Sequence, residues 1–443
     1  MINITRGEER VFYGKTIKSW TDTIEDGAIE QIEDICTRLN IDKVYVLPDV
    51  HRGYLAPIGT AVTTHGVIIP ELLGNDIGCG ISCHYLGINL NDMDKSEQDR
   101  FLSGLYEFLT SGRFINSSGY TRGKTSDAYG DPIRSERYNV GLQMYNRIIS
   151  EEITSVSMQI IDNALGTIGG GNHFIEIAAD EKGNLFSVVH TGSRFLGSVV
   201  LEHVTRIIRD YGNCIDELVN YVSEARCDTA SIRYLTEIDK KSMSMVFNIL
   251  SDNYSLEKVY RSILVAQDFA RMNRTLIGDM IYHYIHKDKY MDRINDLDPD
   301  ALGFPFMIDC GHNVISCPPN PDGSRGVYFV HRKGVAMLED GYGIIAGNQI
   351  DGSYIVKETK ENILGICSHG AGRVMSRSEA RATLNEDEEK LKLASSVPYN
   401  TFNGKGSLEE CSSAYKNIEE VLSLQSDLVT PVAHLKPLIN IKG

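Results

Sequence analysis

This chain of 443 residues predicts a mixed α/β (α+β) fold in a single compact domain. Three observations lead there. Short apolar runs recur along the chain and end in glycine-containing turns, stretches of helical periodicity are interspersed among them, and neither an internal repeat nor a Pro-rich linker divides the sequence. Apolar residues make up 42% and charged residues 23%, which excludes a disordered or low-complexity chain. No apolar run approaches the roughly 18–20 residues of a membrane span, and MINITRGEER lacks the apolar centre of a secretory signal. The nine cysteines are irregularly spaced, without a CxxC pair, so a reducing cytoplasm is expected rather than a disulfide framework.

In order, VYVL (44–47) reads as a buried strand running into Pro48-Asp49-Val50-His51-Arg52-Gly53. Residues 57–69 read as extended segments broken by glycine, residues 95–110 as a helix, and the polar stretch 111–150 as a long loop or ordered excursion. A helix is expected over 152–165, then strands at 174–177 and 186–190. A largely helical insertion covers about 195–290. Short strands return at 306–309, 327–331, 343–346 and 353–357, followed by helices near 376–393 and 414–426 and a C-terminal strand. Ser118–Thr125 nearly spells a phosphate-binding loop, but a serine replaces its first glycine and no apolar strand precedes it, so it is set aside. The acidic run Glu386–Glu389 reads as a solvated helix face.

Five segments place a metal-capable or nucleophilic side chain at a strand end beside glycine, where backbone can approach a ligand closely. They are Asp76-Ile77-Gly78-Cys79, Gly171-Asn172-His173-Phe174, Val189-His190-Thr191-Gly192-Ser193-Arg194, Cys310-Gly311-His312-Asn313 and Cys367-Ser368-His369-Gly370. Any one of these, taken alone, reads more readily as a loop histidine or an inert buried thiol. Together they supply carboxylate, imidazole and thiol groups. Asp76 and Cys79, three apart, can reach one centre. Carboxylate and imidazole suit Mn²⁺ or Zn²⁺, and a thiolate can bridge two ions. A closed structural zinc site would more typically use paired cysteines, so the pattern points to a catalytic metal centre of one ion or two. His65, His84, His203, His283, His286 and His434 read as structural or surface residues. His51 and His331 stay open.

The ordered segments PDVHRG (48–53), GNDIGCG (74–80), GTIGGGNHFIE (166–176), VVHTGSR (188–194), HNV (312–314), VHRKG (330–334), CSHGAGRVMSR (367–377) and AYKNIEEV (414–421), with the terminal IKG, resemble the RtcB-type RNA ligases. The resemblance implies the compact α/β architecture of that family. It also implies an enzyme that joins RNA 3′-phosphate or 2′,3′-cyclic phosphate ends to 5′-hydroxyl ends with GTP and Mn²⁺, in tRNA splicing or RNA repair. Two metal ions would share Cys79, with Asp76, His173, His190 and His312 completing the set. His369 would become linked to GMP, with Asp49 in the same site and Asn172 contacting phosphate. Phe174 and Tyr415 would flank guanine, Glu176 and Lys442 would hydrogen-bond its edge, and Ser353, Ala371 and Gly372 would line the nucleotide. Arg194, Arg373 and Arg377 would grip RNA phosphates. Two departures stand out: Asn348 where a serine is expected, and EECSS before Tyr415 where the usual acidic stretch differs. An archease-type activator is a further implied partner, with no membrane partner. The alternatives are a family member confined to metal-dependent RNA end-processing, or a non-catalytic RNA-binding protein.

The net charge of −16 argues at first against a nucleic-acid partner, because phosphate contacts need Lys and Arg. Two divalent ions and three arginines would make the site locally positive, and local charge governs phosphate binding. The acidic balance then implies weak non-specific binding to duplexes and selection of RNA by its ends.

Overall fold

The computed structural model describes residues 2, 4–111, 164–206, 245–246, 253–286, 302–319, 323, 327–402 and 407–442, with backbone alone at 245–246 and 253–258. The stretch 112–150, nearly all of the expected helix 152–165 and residues 207–244 of the expected insertion lie outside the described residues.

Two sheets carry the fold. The first runs β1(Glu9–Phe12)-β2(Lys15–Ser19)-β3(Lys43–His51)-β4(Ile58–His65)-β12(Tyr328–Lys333)-β11(Ile315–Ser316). The second runs β10(Met307–Gly311)-β6(Gly80–Asn89)-β8(Asn184–Thr191)-β7(Phe174–Ala179)-β18(Val429–Lys442)-β15(Ser353–Glu358)-β14(Tyr342–Ala346), with β17(Tyr399–Asn400) on β18. β13(Val335–Met337) pairs β16(Ile366–Ser368), and β5(Val67–Ile68) pairs β9(Met245–Val246). β8 is continuously apolar from Leu185 to Val189, apart from Ser187, because it is buried throughout.

The largest apolar cluster joins the two sheets. Leu47, Ala61 and Val330 of the first meet Ile81, Phe186, Val188, Ile308, Ile344 and Ile355 of the second. Each large side chain buried this way contributes about 1.5–3 kcal/mol. The helix α3(Asn253–His286) packs on the second sheet. Val259, Ile263, Ala266 and Phe269 join Ile77, Leu196, Val200 and Val204. Further along, Ile277 and Ile281 meet Ile175, Ile177 and Val189, together with Leu102 and Leu105 of α2(Lys95–Thr110). A capping box starts α2: Asp94 accepts from Glu97 N–H while the Glu97 side chain accepts from Asp94 N–H. α1(Asp26–Arg38) covers the first sheet through Ala28, Ile32 and Ile35.

The expected strand 44–47 extends to His51, with a register shift against β4 between Val46 and His51. This irregularity turns the carbonyls of Pro48 and Val50 out of the ladder, and Lys416 Nζ donates to both at 3.0 Å. The expected helix 376–393 is two helices, α4(Arg377–Thr383) and α5(Glu386–Ser396). Asn385 breaks it by capping α5, accepting from Asp387 and Glu388 N–H. The acidic run then lies in the first turn of α5, where the helix dipole favours it. The expected helix 414–426 shortens to α6(Ile418–Leu424) for the same reason, with Asn417 as its cap. Among the described residues, no helix is long and apolar enough to cross a membrane, and the cysteines are free thiols.

Candidate metal and nucleotide site

Strand register brings four of the five chemistry-bearing segments to one end of the second sheet. Gly311 of β10 pairs Gly80 of β6, Gly80 pairs Thr191 of β8, and His190 pairs Phe174 of β7. Cys79, His190, His173 and His312 each lie in, or one residue from, those pairs. The His312 N–H donates to the Cys79 carbonyl at 2.7 Å, tying two of the segments directly.

Their side chains converge in a buried cluster. Cys79 Sγ is 3.3 Å from His173 Nε2 and 3.4 Å from His190 Nε2. His190 and His312 face each other through Nε2 at 3.4 Å, and His173 Nε2 is 3.2 Å from Asp76 Oδ2. Two three-residue sets result, Cys79/His190/His312 and Asp76/Cys79/His173, each with donor atoms within 4.8 Å of one another and with Cys79 common to both. The far sides of the rings are fixed. His173 Nδ1 lies 3.0 Å from Ile168 O, and His190 Nδ1 lies 3.1 Å from Asn172 O. A carbonyl only accepts, so each Nδ1 carries the proton and each Nε2 is left with a lone pair aimed inward. Burial pushes His190 and His312 well below the usual histidine range, so both rings are neutral. Ser193 holds Asp76 Oδ1 through its N–H at 3.0 Å and its hydroxyl at 3.2 Å. The one thiol hydrogen of Cys79 cannot serve every imidazole lone pair and carboxylate oxygen pointed at these shared centres, so the cluster is rich in acceptors and short of hydrogen-bond donors. Divalent cations satisfy such a donor set, and its composition fits Mn²⁺ or Zn²⁺.

His369 follows β16 and lies beside this cluster, its ring 4.8 Å from that of His312. Its Nδ1 is 2.7 Å from Asp49 Oδ2, and its backbone N–H donates to the same oxygen at 3.2 Å. Asp49 is fully buried. This carboxylate therefore fixes the ring and leaves Nε2 as the free nitrogen. Only glycine fits at 372: φ is +74°, and a Cβ there would lie 2.5 Å from Asp49 O.

A cavity of about 750 Å³ opens beside His369. Asn172, Phe174, Glu176, Ser353, Ala371, Gly372, Tyr415 and Lys442 all line it, as do Arg373, Arg377 and Asn348. Lys442 Nζ sits 5.7 Å over the Phe174 ring. Burial raises the Glu176 carboxyl to about 8, against the opposing effects of Asn440 and Lys442. Asn440 Nδ2 donates to Glu176 Oε2 at 3.2 Å, while Glu176 Oε1 and Asn440 Oδ1 are buried oxygens without a partner among the described residues. The Asn348 side chain closes its own turn, accepting from Ile350 and Asp351 N–H at 2.9 Å.

The three arginines are placed differently. Glu410, 2% exposed, accepts from Arg373 Nη1 at 3.2 Å, from Arg377 Nε at 2.7 Å and from the Tyr415 hydroxyl. The Arg373 guanidinium also stacks 5.1 Å from the Tyr415 ring. Arg194 lies outside the cavity lining, with its guanidinium tucked against Gly169 and donating to Ile168 O at 3.2 Å. Its φ of +58° is rare for a residue with a Cβ.

Sequence reasoning missed Glu410 and Asn440. The signal for Glu410 lay in the EECSS segment, an acid before an expected guanine contact. His331 is a core residue, its Nε2 accepting from Ile69 N–H at 3.0 Å, whereas His51 lines the cavity. His84, His286 and His434 bond Ser82, Leu86 and Asp351 and take no part in the cluster.

The model of the family "tRNA-splicing ligase RtcB" matches residues 31–443. The chain is 26% identical to "RNA-splicing ligase RtcB" of Escherichia coli (strain K12), over 96% of this chain and 97% of that protein. It is 27% identical to "RNA-splicing ligase RtcB2" of a second Escherichia coli strain, over 97% and 95%. It is 25% identical to "tRNA-splicing ligase RtcB" of the archaeon Aeropyrum pernix, over 95% and 92%. With the match spanning nearly the whole sequence and including every residue of the donor cluster together with His369, the chain belongs to the RtcB ligase family.

Proposed function

We propose that this RtcB-family RNA ligase joins RNA 3′-phosphate or 2′,3′-cyclic phosphate ends to 5′-hydroxyl ends, with GTP and Mn²⁺, through a GMP-linked His369, in tRNA splicing or RNA repair. The observation that carries the reading is the Asp49–His369 pair, a fully buried carboxylate 2.7 Å from Nδ1 at the wall of a cavity that His190 of the donor cluster also lines.

Asp49 accepts the Nδ1 proton, so Nε2 keeps its lone pair for attack on the α-phosphorus of GTP. An N–P bond forms, the P–O bond to pyrophosphate breaks, and Asp49 balances the charge that develops on the ring. An RNA 3′-phosphate oxygen then attacks the same phosphorus, and His369 leaves with the N–P electron pair. A 5′-hydroxyl attacks the activated 3′-phosphate, a phosphodiester forms, and GMP departs. A cyclic phosphate end is first opened by hydrolysis. Two Mn²⁺ held by Asp76, Cys79, His173, His190 and His312 would supply neutralisation of phosphate charge and a lowered pKa for the attacking oxygen.

Guanine selection is read from the cavity. The edge of guanine offers N–H donors; Asn440 Oδ1 is a buried acceptor without a partner among the described residues, and N–H donors at Glu176 Oε1 would draw its carboxyl toward the ionised, accepting form. Phe174 and Tyr415 flank the base, Lys442 reaches its edge, Asn172 contacts phosphate, and Ser353, Ala371 and Gly372 line the nucleotide. Arg194, Arg373 and Arg377 are the RNA-phosphate groups, the latter two exchanging Glu410 for phosphate oxygens. A cytoplasmic location and an archease-type activator belong to the same reading.

The test is ligation of RNAs bearing 2′,3′-cyclic phosphate, 3′-phosphate or 3′-hydroxyl ends to a 5′-hydroxyl RNA, with GTP and Mn²⁺. The first two are joined and the third is not. Joining of the 3′-hydroxyl substrate alone overturns the proposal.

A further inference from the structure

The donors of the cluster stand on four separate chain segments, and one helix, α3, bonds to each of those segments or to the stretch leading into it. Its buried stripe of Val259, Ile263, Ala266, Ala270, Ile277 and Ile281 is interrupted at one turn by Asn273 and Arg274, which are equally buried, at 0% and 1% exposure. Arg274 Nε and Nη2 clasp Asp309 at 2.5 and 2.9 Å. Its Nη1 donates to Gly78 O at 2.8 Å and to Thr191 O at 3.0 Å. Asn273 accepts from Gly166 N–H at 2.6 Å and donates to Thr167 O at 3.0 Å.

Two of these contacts are next to a donor, and the others lie on the stretch that leads to one. Gly78 precedes Cys79, Thr191 follows His190, and Asp309 leads along β10 to His312. Thr167 precedes Ile168, whose carbonyl fixes His173 Nδ1. The backbone at 78 lies directly on the helix, since a Cβ there would fall 2.7 Å from Gln267 Cα. Helix packing alone does not call for these two residues. A buried ion pair contributes little net stability compared with apolar residues of the same volume, because desolvation offsets the attraction. What the guanidinium adds is a planar fork that fixes three strands at defined spacing.

We propose that Arg274 and Asn273 are positioning residues for the metal centre, setting the spacing of Cys79, His190, His312 and His173 before any ion arrives; this rests on reading the cluster as an Mn²⁺ centre. Partners behind the ligands commonly tune metal affinity by about 10- to 100-fold.

The full chain is titrated with Mn²⁺ alone, reading free ion by EPR, with circular dichroism and thermal unfolding recorded on the same samples. Wild type binds, and Arg274→Met, though folded, binds about 10- to 100-fold more weakly. Arg274→Lys, which keeps the charge but loses the fork, falls between them. Asn273→Ala leaves the ion pair intact and weakens binding less than Arg274→Met; it decides the matter should Arg274→Met not fold. Lower melting temperatures with unchanged Mn²⁺ affinity in the folded variants overturn the positioning role while leaving the metal centre standing. Failure of wild type itself to bind Mn²⁺ overturns the metal reading, and the positioning role with it.

Discussion

The two halves of the site are built in different ways. The donor cluster is held through its backbone: strand register, carbonyls on His173 and His190, and the Arg274 and Asn273 side chains of α3 clamping the flanking peptide groups. The cavity half is held by side chains from distant parts of the chain, with Glu410 gathering Arg373, Arg377 and Tyr415, and Asn440 reaching Glu176. Backbone-held donors sit in one rigid arrangement, which a metal centre requires. Partly exposed side-chain ion pairs can exchange partners, which would suit the proposed exchange of one phosphate group for another. Asp49–His369 stands where the halves meet.

Replacing Cys79 with Ala breaks the first half most severely. It removes the donor common to both three-residue sets, so RNA joining is expected to be abolished and Mn²⁺ binding weakened at both. Retention of full Mn²⁺ binding, read by EPR, would sink the shared-donor reading. Asp49→Asn tests the junction. The amide can donate to His369 Nδ1, which moves the ring proton to Nε2 and removes the nucleophilic lone pair. Guanylylation is expected to fall by about 10⁴-fold, the scale seen when an orienting carboxylate becomes an amide, with the fold intact by circular dichroism. A loss under tenfold argues that Asp49 only packs.

The second half should be more forgiving. Glu410→Gln keeps the shape and loses the charge. We expect KM for GTP to rise about 10-fold, the worth of one charge-assisted hydrogen bond at ~1.5 kcal/mol, with kcat changing less. An effect on kcat alone would place Glu410 in the chemistry instead. The effect furthest from activity is a pH dependence of stability at Glu176. Burial raises its folded pKa to about 8 from 4.5, so the folded state binds more protons than the unfolded one between those values. Stability contributed by the protonated form is full below 4.5 and lost as pH rises through about 8. Glu176→Gln removes that dependence, so denaturant midpoints of the two proteins should diverge upward in pH, with the variant favoured. Parallel curves contradict it.

How much was legible in the sequence follows the same division. The donors were readable because single residues at strand ends beside glycine carry a chemical signature in a few consecutive positions. The strands themselves were readable from apolar runs, although β3 runs on through Pro48 because its register shifts there. Glu410 and Asn440 were not readable, since their meaning lies in partners such as Arg373 and Glu176, far away in sequence. Arg274 was hidden by its setting: one charged residue in an apolar helical stripe reads as noise until Asp309 is placed beside it. Helix ends were misjudged where Asn385 and Asn417 cap, because an asparagine inside an otherwise helical pattern does not announce which way it acts.

The most direct test of the central claim is covalent labelling of the protein by α-labelled GTP in Mn²⁺, followed by denaturing electrophoresis and acid treatment. Wild type is expected to carry an acid-labile label, and His369→Ala none. Equal labelling of His369→Ala, or no label on wild type that nonetheless ligates RNA, would contradict the account.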